Sequence, residues 1–191
     1  MEAGLKTGRF LFNDGFNFTS AADGVLFDID ADGTDELTAW TQYQSNDAFL
    51  FLDLNQNGIV DDGSELFGDR TKLLSGEYAI DGYEALSELD HQFWGGNGDH
   101  VINRADQYFK LLGLWSDWNQ NGYSEPDEMI KLSKTSIKTL SLNLEYFDVL
   151  DEHGNWIEYA SWASTKMNLD SPNQTLYRTA DVYLQKQEIS P

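Results

Sequence analysis

The 191-residue chain has no cysteine, three prolines and three histidines. Without thiols there is no disulfide framework, no thiolate metal centre and no cysteine nucleophile, so any metal must be held by oxygen. The histidines, at 91, 100 and 153, fit no zinc spacing such as H-E-x-x-H, and no Gly-x-Ser-x-Gly elbow or phosphate loop is present. The sequence therefore predicts no enzyme of those classes. Basic residues are also scarce: 12 Lys and Arg face 33 Asp and Glu, a formal net charge of -21. Such a surface repels phosphate backbones and anionic headgroups, which argues against nucleic acid as a partner. No apolar window approaches the ~18 residues of a membrane span, and the first residues form no signal-like apolar region. Membrane insertion is not expected. A domain within a longer exported chain would carry its export signal elsewhere.

What is present suffices for one real core, since 40% of residues are hydrophobic and 14% aromatic. With no low-complexity linker, residues 1–191 read as a single domain. Short β-branched or aromatic runs at 10–18, 25–27, 37–43 and 49–52 lie between Gly, Asp and Asn clusters and predict strands joined by turns. Asp81 followed three residues later by Glu84, with apolar positions at helical spacing, predicts a helix over 81–89. Further helices are expected over 105–112 and after Pro126, a residue suited to a first helical turn. Alternation returns with a strand over 137–146, a partner over 156–162 across the turn at 151–155, and a last strand over 181–184.

Four acidic loops recur among these elements. In the first, Asp28, Asp30, Asp32, Thr34 and Glu36 occupy positions 1, 3, 5, 7 and 9, with Gly33 at 6. Calcium requires this alternation: a hard cation with six to eight oxygen ligands at ~2.3–2.6 Å is encircled when alternate residues point inward and a glycine permits the bend. Position 12 is Ala39, so this loop is expected to close at Glu36 between strands. The second loop offers Asp53, Asn55, Asn57, the carbonyl of Ile59, either Asp61 or Asp62, and Glu65 one place later than usual. The fourth, Asp117, Asn119, Asn121, Tyr123, Glu125 and Glu128 around Gly122, meets the helix-loop-helix pattern most fully. Its neutral Asn ligands predict weak, extracellular-range affinity, ~10⁻⁴–10⁻³ M.

The third loop is irregular. Counted back from Asp106, its ligands are Asn103, Val101, Asp99 and Asn97, but the sixth residue is His100 and the first acid is displaced to Asp90. The insertion 91–96 contains Phe93, Trp94, Gly95 and Gly96. It is expected either to close over the ion or to hold coordination open and present rings to a ligand.

A lone acidic turn is commonplace, because Asp, Asn and Gly dominate turns. Three loops with glycine at the same place, and a fourth in altered register, are not. The windows 28–39, 53–65, 90–106 and 117–128 hold 16 of the 33 acids, against about 9 for an even spread. Four Ca²⁺ would bring the formal charge from -21 to -13, so calcium is expected to act as a folding switch.

The order of motifs then becomes specific. Asp53 to Gly58, the run Asp62, Gly63, Ser64, Glu65, Leu66, Phe67, Gly68, Asp69, then Gly82 to Leu86, Leu114 to Asp117, and Ser136 to Leu140 resemble the calcium-binding module of bacterial RTX proteins. The relatives are the self-processing modules of FrpC-type proteins and the peptide-binding domains of large RTX adhesins. The resemblance covers roughly residues 23–185. It implies type I secretion, a secreted or bacterial cell-surface location, and an α+β fold of short antiparallel strands and few short helices organised around EF-hand-like loops and about four Ca²⁺.

FrpC-type modules cut an Asp-Pro bond ahead of the module and can join the released Asp to a lysine. Here the prolines follow Glu125, Ser171 and Ser190, and no Asp-Pro bond occurs. The resemblance and the aromatic insertion together favour a monomeric adhesin domain within a larger chain. Its expected ligand is a cell-surface protein or the peptide ends of a host or neighbouring cell, held at Phe93, Trp94, Gly95, Gly96 and Asp99. A glycan, a self-processing role and a calcium-stiffened spacer are the alternatives.

Overall fold

A computed structural model of the chain describes residues 16–167 and 174–187, with the backbone of 2–6. The strand expected over 10–18 lies largely outside them; Phe18 alone makes an antiparallel bridge, to Thr41. Among the described residues the architecture is predominantly antiparallel sheet with one short α-helix. Strands β1 (Glu2–Lys6), β2 (Val25–Phe27), β3 (Glu36–Thr38), β4 (Asp47–Phe51), β5 (Val101–Asn103) and β6 (Gly113–Trp115) are followed by β7 (Met129–Lys131), β8 (Thr139–Ser141), β9 (Glu145–Leu150), β10 (Trp156–Ser164), β11 (Leu176–Tyr183) and β12 (Lys186–Gln187). They form a nine-stranded sheet in the order β5-β8-β10-β11-β1-β4-β6-β7, with β9 also paired to β10, and a three-stranded sheet β12-β3-β2.

Several expectations meet their elements. The 25–27 strand is β2, the 49–52 strand belongs to β4, and the hairpin across 151–155 joins β9 to β10. The expected 37–43 strand is shorter as β3, and the 137–146 strand divides into β8 and β9. The helices expected over 105–112 and after Pro126 are not formed. The first is a single 3₁₀ turn, Gln107–Lys110, and residues after Pro126 turn directly into β7. Pro126 fits a tight turn as well as a helix start, and the sheet partner β6 decides between them.

The helix at 81–89 is present as α1 (Gly82–Ser87). Asp81 caps it by accepting the Glu84 N–H at 2.6 Å, and Glu84 returns a bond to the Ile80 N–H at 2.7 Å. This reciprocal cap closes one residue earlier than the usual box. Tyr83, Ala85 and Leu86 are buried, and the following 3₁₀ turn, Glu88–Asp90, delivers Leu89 and Asp90 into the interior. A core cluster forms there with Leu50, Ile102, Phe109, Leu112, Leu132 and Leu140.

A second cluster is aromatic. Phe27, Trp40, Phe49 and Trp115 meet with ring centroids 4.5 to 5.8 Å apart, backed by Ile29, Val60 and Leu66. Buried indoles need acceptors for their N–H groups. Trp40 Nε1 donates to Asp117 at 2.9 Å and Trp115 Nε1 to Glu128 at 3.4 Å, so the second core is tied to the first and last acids of the fourth loop.

Asp181 on β11 lies where α1 meets the large sheet. It is fully buried, accepts the Gly82 N–H at 3.0 Å, and burial pushes its carboxyl up to about 8. Beside it the Tyr83 hydroxyl shares a 2.7 Å hydrogen bond with Thr179.

Candidate metal centre

The four loops share one backbone device. In each, the first aspartate accepts the N–H groups of the fifth and sixth residues. Asp28 takes those of Asp32 and Gly33 at 2.9 and 2.8 Å, and Asp53 those of Asn57 and Gly58 at 3.1 and 2.9 Å. Asp117 takes those of Asn121 and Gly122 at 3.1 and 2.8 Å. The fourth and sixth residues both adopt positive φ, at Ala31 and Gly33, Gln56 and Gly58, and Gln120 and Gly122. The sixth has the larger φ, 93°, 86° and 77°, and there glycine avoids the Cβ penalty.

The third loop obeys the same rule by another route. Asp90 accepts from Asp99 at 3.3 Å and His100 at 2.8 Å, the fifth and sixth places counted back from Asp106, and also from Gly98 at 2.9 Å. Residues 91–96 loop out so that the Asp90 carboxylate returns to the first-ligand place. The return is tight: a Cβ on Gly96 would lie 2.2 Å from the Asp90 carbonyl oxygen. Glycine and side chain have exchanged places, with Gly98 at φ 72° and His100 at φ 63°. The first acid is therefore displaced in sequence but accepts the same loop N–H groups in space. Gly98, two residues ahead of His100, was the sequence signal for this exchange.

The closing acids are equally systematic. Glu65 accepts from Leu54 and Asp61 at 2.8 and 3.0 Å, Asp106 from Asn97 and Asn103 at 3.3 and 2.7 Å, and Glu128 from Trp118 at 3.0 Å. Burial pushes Glu36, Glu65, Asp106 and Glu128 all above the usual carboxylate range. Inside loops two and four, Asn side chains at positions 3 and 5 donate to the ninth residue. Asn55 and Asn57 reach Asp61 at 2.7 and 2.8 Å, and Asn119 and Asn121 reach Glu125 at 3.4 and 2.8 Å. The Asn121 amide holds Glu125 below its ordinary range.

Of the two candidates for the ninth place in loop two, Asp61 faces these amides. Asp62 does not: it caps the 3₁₀ turn Gly63–Glu65, accepting from the Ser64 N–H at 2.8 Å and its hydroxyl at 2.5 Å. Thr34 and Tyr123 bond through their backbone N–H groups to Asp32 and Asn121, at 2.9 and 2.7 Å. Val101 does the same to Asp99 at 3.1 Å, and the Ile59 N–H donates to Asn57 at 3.0 Å.

Loop one concentrates the most charge. Asp28, Asp30, Asp32 and Glu36 each bring one carboxylate oxygen within 4.8 Å of the others, a set that could hold a metal ion. Glu36 is 6% exposed, and both its Oε2 and Asp30 Oδ1 are buried without a hydrogen-bond partner. Such orphaned anionic oxygens are costly unless a cation meets them, so the donor set fits a hard divalent ion. Lys186 on β12, which the sequence reading did not single out, donates to Asp30 and lies 3.8 Å from Glu36. That hydrogen bond is the main reason the Asp30 carboxyl is held low. The only sequence signal for Lys186 is its position two residues after Leu184 at the end of the last expected strand.

Loops one, two and four pack together on the aromatic core. Gly63 donates to the Asp28 carbonyl at 2.8 Å, and the Val60 N–H meets Ser124 Oγ at 2.7 Å. A Cβ on Gly122 would lie 2.7 Å from the Leu26 carbonyl oxygen. Loop three stands apart on the α1 core. Its insertion carries Phe93, 73% exposed, edge-on to Trp94 at 5.9 Å, and Trp94 is edge-on to Tyr108 at 5.3 Å. Gly95 accepts from the Gln107 N–H at 3.2 Å, which fixes the insertion to the turn behind it. Asp99 accepts from the Asn97 side chain at 2.9 Å.

The family model described as the SPM domain matches residues 11–185. The chain belongs to the SPM domain family. Iron-regulated protein FrpA of Neisseria meningitidis serogroup C is 46% identical over 132 residues, which is 69% of this chain and 11% of that protein. The SPM domain thus spans about a tenth of the length of the curated relative it matches. Both findings support the FrpA/FrpC-type RTX relationship expected from the motifs. Among the described residues of the SPM domain, no helix is long and apolar enough to cross a membrane.

The role of Asp90 is directly testable. Asp90→Ala strands the His100 N–H, while Gly98 keeps the residue-90 carbonyl and Asp99 keeps the Asn97 side chain; it is expected to cost about 2 kcal/mol, with the largest loss of hydrogen-exchange protection at His100. Asp62→Ala, which removes only a cap, should cost about 1 kcal/mol. Denaturant melts of the two variants in calcium decide the matter: an Asp90→Ala loss no larger than that of Asp62→Ala would remove Asp90 from the loop.

Proposed function

We propose that this SPM domain is a calcium-dependent extracellular module of an RTX-type adhesin, folded around ions in four loops and holding a ligand at the third. The calcium reading is carried by loop one, where two buried carboxylate oxygens lack any partner inside a set of four acids. The shared wiring of the other three loops extends it to about four ions. The ligand reading is supported by Phe93, an exposed ring on an insertion braced by Trp94, Tyr108 and Gln107 beside Asp99. A few placed polar groups next to aromatic walls suit a peptide or protein end of a cell-surface partner. The Asp90 return means that this capture would rely on the insertion's rings and Asp99 more than on an empty first-ligand place.

Metal removal tests the first part. A site held at about ten times its dissociation constant, as millimolar Ca²⁺ provides for an affinity of ~10⁻⁴ M, adds about 1.4 kcal/mol, or roughly 3–6 °C at this chain length. Far-UV circular dichroism melts in millimolar Ca²⁺ should therefore exceed those in EDTA by at least that amount, with a smaller gain for Glu36→Gln. Equal melting temperatures in the two buffers would sink the calcium reading.

A peptide-library pull-down in Ca²⁺ against EDTA tests the second. Retention should require calcium and fall about tenfold in Phe93→Ala, Trp94→Ala and Asp99→Ala. Phe93 is the decisive position because its ring is exposed and its loss leaves the core intact. No retention, or full retention by Phe93→Ala, leaves the module as a calcium-stiffened spacer.

Family membership favours a second reading, calcium-dependent self-processing of an Asp-Pro bond outside residues 1–191. A fusion carrying an Asp-Pro segment ahead of residue 1, incubated with Ca²⁺ and resolved on a denaturing gel, should then release a discrete fragment. An intact band after prolonged incubation rejects it.

A further inference from the structure

With 33 acids to 12 bases, every basic side chain in this protein has carboxylates within easy supply. Most of the described bases are engaged. Arg70, Arg178 and Lys186 pair with acids, Lys72 and Arg178 sit over aromatic rings, and Lys131 and Lys138 donate to backbone carbonyls. Lys166 has no such side-chain partner, and neither do Arg104, Lys110 and Lys134, which differ from it in lining a common cleft. Among the described residues none of the three forms an ion pair, a hydrogen bond or a ring contact, and all three line one cleft of about 480 Å³.

The cleft lies between the turn Gln107–Lys110 and the turn Leu132–Lys134, behind the third loop. The buried ring of Phe109 lines it, and the Gln107 amide and Ser133 hydroxyl add neutral hydrogen-bonding groups. One acid, Asp106, also borders it, but both its oxygens accept backbone N–H groups of the third loop, from Asn97 and Asn103. The three bases outnumber the single carboxylate of Asp106 along this cleft, and an anion offsets the remaining positive charge. A guanidinium further supplies a planar fork of donors that matches a carboxylate or sulfate.

We propose that this cleft is an oxyanion-binding site, taking a carboxylate, sulfate or phosphate group with Arg104 as the forked donor, Lys110 and Lys134 as flanking charges, and Ser133 and Gln107 as neutral donors. The chemistry is shared by a free oxyanion and by the terminal carboxylate of a peptide. The site goes beyond the aromatic insertion of loop three and does not depend on it. The two are joined through Gln107, whose backbone N–H holds Gly95, and through the edge-on contact of Trp94 with Tyr108.

The test is an amide-resonance titration of the ¹⁵N-labelled, calcium-loaded protein with sodium sulfate, against sodium chloride at matched ionic strength. Sulfate should give saturable shifts at 104–110 and 132–134 that chloride does not, with a dissociation constant on the order of millimolar for such solvent-screened charges. Arg104→Gln should weaken binding about tenfold, and the pair Arg104→Gln with Lys134→Gln should abolish saturation. Lys72→Gln, outside the cleft, should bind as the parent, and the dispersed spectrum of each variant reports that it is folded. A short peptide with a free terminal carboxylate and its amide form then separate the sources. Tighter binding by the free acid than by sulfate identifies a chain end, and equal behaviour of the two peptides identifies a free oxyanion. Equal shifts with sulfate and chloride, or undiminished binding by the double variant, overturn the site.

Discussion

A tight loop that turns back on itself points successive amide N–H groups inward, and each needs an acceptor. In all four loops the first aspartate supplies it. Asp28, Asp53, Asp90 and Asp117 each hold the fifth and sixth N–H groups, and this fixes the bend before any cation is considered. The remaining acids are then gathered at close range with too few protons and lysines among them. The fold depends on that imbalance. It places negative charge where sheet and core packing alone would exclude it, and in loop one it gathers four carboxylates into a set that could hold a metal ion.

The imbalance is not spread evenly. Three loops meet on the cluster of Phe27, Trp40, Phe49 and Trp115, linked by Gly63, Val60 and Ser124. The third is carried by α1 and β5 on the other core and projects an aromatic turn instead of packing against a neighbouring loop. The division suggests different duties: mutual bracing for the first group, and exposure of chemistry for the other. The cleft lined by Arg104, Lys110 and Lys134 adjoins that exposed turn through Gln107, whose N–H donates to Gly95.

The bend of the loops was the legible part of the sequence, because the first aspartate and the sixth-place glycine fix it at a set spacing. Asp28, Asp53 and Asp117 could be read at once from the alternation and the sixth-place glycine. Asp90 was named from the same logic, yet its true place depended on Gly96 and Gly98 allowing the chain to double back, a three-dimensional closure that linear counting does not contain. Asp61 and Asp62 were equivalent in sequence, and the Asn55 and Asn57 amides on one and the Ser64 cap on the other separate them. Strands as short as β5, β6 and β7 carry three residues each, too few for alternation to register, and Lys186 reaches loop one by a pairing of β12 with β3 across most of the chain. The helix expected over 105–112 failed for a related reason. Its local periodicity was real, but Phe109 and Leu112 are claimed by a core whose other members lie far away.

One connection bears on how the molecule can be observed. Trp40 and Trp115, both fully buried, share their N–H hydrogen atoms with Asp117 and Glu128, the opening and closing acids of the fourth loop. The electronic state of an indole is sensitive to the charge on the group its N–H touches. Any event that changes the charge on those carboxylates, proton or cation, is written into the ultraviolet emission of two rings at the centre of the protein. The domain contains its own optical reporter, placed by the fold and needing no label.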